Sequence, residues 1–95
     1  MSPAWKISGT FFGWFSEQGE FYDTNGQRLG TIKDNVLYDS EANYVGDLIN
    51  EKYIGKNELK THLIGVICDN TGEINMNSMD DLIGIELIGF TDPEI

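Results

Sequence analysis

The sequence has one cysteine, one histidine and, beyond Lys60, no lysine or arginine. A lone cysteine, Cys68, cannot close an internal disulfide, so the fold is expected to stand without oxidation, as suits a reducing compartment. One histidine and one cysteine fall short of a zinc site. His62 and Cys68 are six residues apart on one predicted strand, about 20 Å at ~3.3 Å per residue, so within it they cannot act as a nucleophile and its base. There is no Gly-rich loop ending in Lys-Ser or Lys-Thr to hold phosphates, and the six basic residues form no patch for nucleic acid. Residues 1–6 lack the apolar stretch of a signal peptide, and no apolar run reaches the length of a membrane span. These absences lead us to expect a cytoplasmic protein with no catalytic residues, cofactor or metal, and with no direct contact to membrane or nucleic acid.

What is present is acid. Ninety-five residues carry a net charge of −10, unevenly placed. Residues 1–60 hold nine acids and six bases, a net of −3; residues 61–95 hold seven acids and no base, a net of −7. The aromatics run the other way, with ten of eleven in residues 1–53 and only Phe90 later. A surface this acidic repels phosphates and anionic lipid and attracts a basic protein. The length and the 40% hydrophobic content fit a single domain over 1–95 with a modest core, 1–4 and 91–95 being expected as flexible ends.

An apolar-Gly-x-apolar motif punctuates the chain five times: Phe12-Gly13-Trp14-Phe15, Leu29-Gly30-Thr31-Ile32, Val45-Gly46-Asp47-Leu48, Ile64-Gly65-Val66-Ile67 and Ile83-Gly84-Ile85-Glu86-Leu87. The glycines are 17, 16, 19 and 19 residues apart, a period that marks one repeated supersecondary unit. Aromatic and β-branched residues flank them, as strands favour. Turns are predicted at Ser16–Gly19, at Thr24-Asn25-Gly26, at Lys33–Asn35, at Ser40–Asn43 and at Asp69–Gly72. Asn57–Lys60 is predicted to form one helical turn. His62–Cys68 reads as a strand buried on both faces, Glu73–Asn77 as a half-buried strand, and Leu82–Phe90 as a last strand. Glycine inside a strand costs about 0.5–1 kcal/mol against alanine, so its recurrence needs an architectural reason, a bend or a close backbone approach. The predicted fold is all-β: four or five short hairpin-like repeats closed into a small pseudo-symmetric barrel or flower.

The repeat Tyr-Asp-x-x-Gly-x-x-apolar-Gly-x-apolar, read here as Phe21 to Ile32 and again, without its turn glycine, as Leu37 to Leu48, resembles that of the bacterial four-fold β-flower domains. The likeness is strongest over residues 11–49. It implies the fold and carries no activity or ligand.

The Asp23–Gly26 and Asp69–Glu73 segments have the composition of tight turns, and without flanking helices they do not make a calcium loop. Asp80 and Asp81 would face opposite ways on a strand, which does not suit paired acid–base work. Function therefore falls to the surface. Asp69, Glu73, Asp80, Asp81 and Glu86 are the candidate contacts for a basic protein partner. Phe11, Trp14, Phe15, Tyr22 and Tyr38 exceed what the core of this half-chain needs; they either pack between repeats or anchor an interface, and Trp14 and Phe15 join the candidate set. The expected function is a non-enzymatic protein-binding module, in its narrower form an inhibitor or immunity protein acting on a nucleic-acid-binding protein. Two alternatives stand beside it: a self-assembling β-repeat that forms a homo-oligomer through unpaired edges, with the apolar runs 62–68 and 82–90 as the candidate edges, and a small-molecule binder with an aromatic pocket around Trp14.

Overall fold

A computed structural model describes all of residues 1–95. It contains nine strands, β1 (Ser2–Lys6), β2 (Phe11–Phe15), β3 (Glu20–Asp23), β4 (Arg28–Lys33), β5 (Val36–Asp39), β6 (Glu41–Ile49), β7 (Tyr53–Asn57), β8 (Ile64–Ile67) and β9 (Phe90–Thr91), with one 3₁₀ turn at Glu58–Lys60. Strands β1 to β7 pair antiparallel in chain order. β7 then pairs parallel with β1 and closes a seven-stranded barrel. An odd strand number makes this one parallel seam unavoidable, because after six antiparallel steps the last strand runs the same way as the first.

Three hairpins share one pairing scheme. Ala4 faces Gly13, Phe21 faces Gly30, and Leu37 faces Gly46. In each, the apolar residue before the glycine (Phe12, Leu29, Val45) is skipped by the ladder and forms a bulge. The bulge explains the motif's spacing. In a plain strand, residues i and i+3 point to opposite faces. The extra residue brings Phe12 and Phe15, Leu29 and Ile32, and Val45 and Leu48 into the same interior cluster. Between them lie Ala4, Phe21, Leu37 and Ile54, all 0% exposed. The glycine leaves room for the facing strand, since a Cβ on Gly30 would run into the Tyr38 carbonyl.

The repeated Tyr-Asp pair has a local cause. Asp23 Oδ1 accepts from the amides of Asn25 (2.8 Å) and Gln27 (3.0 Å), and Asp39 Oδ1 accepts from those of Glu41 and Asn43 (both 2.9 Å). Each aspartate thus holds the turn that reverses its hairpin. The third residue after each aspartate is left-handed: Gly26 at φ 82° and Ala42 at φ 72°.

Residues 61–95 depart from the predicted strands. β8 spans only Ile64–Ile67 and lies outside the barrel on the start of β6, with Ile64 and Ile67 more than four-fifths exposed, not buried on both faces. Cys68, expected in the core, is half-buried. Glu73–Asn77 makes one isolated bridge, Gln27 to Glu73. Leu82–Phe90 forms no strand before β9, which pairs with β7. The physical reason is that β1 fills the place beside β7 that a fourth hairpin partner would take. At the two ends, Ala4 is fully buried within β1 and Pro93 is buried, while Met1, Glu94 and Ile95 are exposed.

The C-terminal residues instead encircle the barrel as a belt. Gly65 lies flat on the Tyr38 ring of β5, where any Cβ would collide with it. The Arg28 amide donates to Gly72 O and the Ile74 amide to Gly26 O, at the β3–β4 turn. Trp5 Nε1 of β1 donates to Asp80 O (2.8 Å), and the Tyr53 hydroxyl of β7 donates to Ile83 O (2.8 Å). Beneath the belt is a second cluster, Trp5, Ile7, Phe11, Trp14 and Tyr53, against which Ile74, Leu82, Ile85 and Phe90 pack. The aromatic excess is spent here: Trp5 and Trp14 meet Phe11 edge to face, at 5.9 and 5.7 Å between ring centroids.

Candidate docking surface on the belt

The belt is held by its backbone and by a few inward side chains, and this fixes what it presents outward. At the β1–β2 turn, the Leu82 amide donates to Gly9 O (2.8 Å) and the Ile85 amide to Ile7 O (2.7 Å). Leu82 and Ile85 turn inward onto the aromatic cluster. Ile83 between them is 90% exposed, and Ile88 is fully exposed. The contact is close: a Cβ on Gly84 would lie 2.5 Å from Ser8 O and 2.9 Å from Ile7 O. An apolar side chain is thereby kept in water on a hydrogen-bonded backbone, three residues from both Asp80 and Glu86 in sequence, whose residues are also exposed.

Not every proposed carboxylate is free. Asp81 Oδ1 accepts from the Phe11 amide at 2.8 Å and caps the start of β2. Glu73 Oε2 accepts from Gln27 Nε2 at 3.1 Å. Asp69 Oδ1 accepts from the Thr71 amide at 2.9 Å, and that hydrogen bond holds its carboxyl below the usual carboxylate range. The belt's course also separates them: Asp69 and Glu73 flank the contacts with β3 and β4, whereas Asp80, Asp81 and Glu86 flank those with β1, β2 and β7. Trp14, at 8% exposure, is buried in the aromatic cluster and offers no surface anchor; Phe15 is half-buried against the barrel interior. Ile83 and Ile88 lie in the apolar run 82–90 that the sequence offers for self-pairing, and not among the contacts it suggests for a basic partner. Their signal was apolar residues inside an acidic stretch, which reads equally well as a strand interior.

Elsewhere, no three His, Cys, Asp or Glu side chains come together as a metal site, and no helix is long and apolar enough to cross a membrane. No family model, curated protein or solved structure matches the chain.

Proposed function

We propose that this chain is a non-enzymatic protein-binding module that docks a basic partner on the outer face of its belt, chiefly along Met79–Ile88. The observation that carries this reading is Ile83, 90% exposed on a backbone fastened at Leu82 and Ile85, in a stretch of acids without a single base. An exposed apolar anchor ringed by charge of one sign suits a partner with an apolar pocket and a basic rim. The narrower form is an inhibitor of a nucleic-acid-binding protein, with carboxylates standing where phosphates would lie. The β-flower resemblance stays within this proposal on three bulged hairpins, one short of a four-fold repeat.

The test is binding of a captured basic protein compared across variants and salt. Asp80→Asn with Glu86→Gln should weaken it by roughly tenfold and flatten its salt dependence, and Ile83→Ser should weaken it at every salt concentration. Asp81 is left intact because it caps Phe11. Binding that ignores all three changes overturns the proposal.

A second reading, self-assembly, has its own observation: β8 pairs on one side only and exposes Ile64 and Ile67. A dimer by sedimentation that Ile67→Lys returns to monomer would favour it.

A further inference from the structure

The tail beyond β9 returns to the barrel. The Ser8 amide donates to Asp92 Oδ1 (3.0 Å), Pro93 is buried, and Glu94 Oε2 lies 3.7 Å from Lys56 Nζ. Ile95 then sits between two cavities, of about 280 and 210 Å³, and lines both. The walls of these cavities include Phe12, Leu29 and Val45, the three bulged residues, so both open at the same end of the barrel. The fully buried layer of Ala4, Phe21, Leu37 and Ile54 makes this mouth a cup and not a channel.

The cup is richer in bases than the rest of the molecule, with two lysines to three acids. Two of the six basic residues, Lys6 and Lys56, line it. Lys6 forms no ion pair; its Nζ stands 5.5 Å from the centroid of the Phe12 ring. Asp23 and Asp39 also lie in the walls, but the turn amides already occupy an oxygen of each. The present occupant is an apolar side chain, Ile95, next to a carboxylate, Glu94, directed at a lysine. Ile95 is still 55% exposed and Glu94 is exposed, so this occupant is held lightly.

We propose that the barrel mouth is a binding site for a small apolar carboxylate, which seats its chain on Phe12, Leu29 and Val45 and its charge between Lys6 and Lys56, and that Asp92–Ile95 is a displaceable plug imitating that ligand. The net charge of −10 opposes any anion at long range, but screening confines that penalty to about one Debye length, ~8–10 Å; within this distance the cup sets its two lysines against Asp23, Asp39 and the plug's own Glu94, so the ligand's carboxylate takes the place Glu94 leaves.

Octanoate is the probe, titrated into the full chain by calorimetry and by amide chemical shifts. Saturable binding is expected, with shifts confined to residues of the cup. The double variant Glu94→Gln, Ile95→Ser removes the plug and should tighten binding about tenfold. Lys6→Met and Lys56→Met should each weaken it several-fold, and neutral octanol should bind much less well than octanoate. The thermal midpoint of each variant, matched to the parent, separates lost binding from lost fold; should a lysine variant unfold, the shift map of the parent chain decides alone. Absence of saturable binding, shifts scattered outside the mouth, or equal affinity for octanol overturns the proposal.

Discussion

Residues 1–60 and 61–95 spend their apolar side chains in opposite ways. Of the 24 buried residues, 23 lie in the first segment and only Pro93 in the second. Of the eleven large hydrophobics left exposed, nine lie in the second. The barrel is built by side chains: its hairpins exist because bulges and facing glycines stack apolar residues into one interior. The belt is built by backbone hydrogen bonds and a few inward residues laid on a finished surface. Stability therefore belongs to the first segment, and presentation to the second.

The largest expected effect tests the barrel. Leu37 is fully buried among Phe21, Val45 and Ile54, and Leu37→Ala removes three carbons that the closed barrel cannot refill. The cost should be about 2–5 kcal/mol by denaturant titration. A loss below 1 kcal/mol would mean that the barrel interior is loosely packed, and the comparison would fail at its first term.

The next effect tests the belt. Gly84→Ala puts a Cβ against the backbone of Ser8 and Ile7, an overpacking worth about 1–3 kcal/mol. It should be local. The amides of Leu82 and Ile85 should exchange faster while those of β3 to β5 keep their protection, and Trp fluorescence should shift to the red as Trp5 and Trp14 are uncovered. Equal loss of protection throughout would mean that belt and barrel unfold as one unit.

This division explains what could be read in the sequence. The barrel was legible because its rule is local: a bulge beside a glycine recurs every 16 or 17 residues, and Asp23 and Asp39 mark the turns. The belt was not, although Ile64–Ile67 and Ile83–Leu87 carry the same apolar-glycine motif. A motif states that apolar residues flank a glycine. It does not state whether that glycine faces a partner strand, as Gly30 does, or lies on a ring or a turn, as Gly65 and Gly84 do. The fourth hairpin fails for a reason invisible in local pattern, because β1, fifty residues earlier, occupies the edge of β7. Of the candidate site, the acidity was legible. That Asp81 is consumed as a cap, that Trp14 lies beneath the belt, and that Ile83 stands clear of it all depend on where the belt runs.

A smaller effect compares two copies of one turn. Gly26 and Ala42 occupy the same left-handed position three residues after Asp23 and Asp39. Alanine is strained there and glycine is not, at a difference of about 1 kcal/mol. Ala42→Gly should stabilise the protein by up to that amount, less the small loss from a buried methyl. Gly26→Ala should destabilise by more, because its Cβ would also strike the Ile74 carbonyl of the belt. Thermal melts of the two variants moving in the same direction would show that the turns are not equivalent.

The last effect is confined to alkaline pH and falls at the joint between the two segments. Tyr44 of β6 accepts a hydrogen bond from the Asn57 amide (2.8 Å) and donates one to Asp47 Oδ1 (3.2 Å), while Lys60, at the start of the belt, donates to Asp47 Oδ2 (3.0 Å). Burial, with the charges of Asp47 and Glu58, pushes the Tyr44 hydroxyl up from 10.0 to about 12, against the opposing pull of the Asn57 amide. A phenol raised in this way favours the proton-bound folded state. Its contribution is complete below pH 10, where the unfolded chain also keeps the proton, and declines between about pH 10 and 12 as the unfolded state ionises first. Stability should fall through that window, and Tyr44→Phe should flatten part of the fall while costing stability at neutral pH, since the Asn57 amide loses its acceptor. If the parent and the Phe variant lost stability in parallel above pH 10, Tyr44 would not be the source of the slope and the joint would not depend on it.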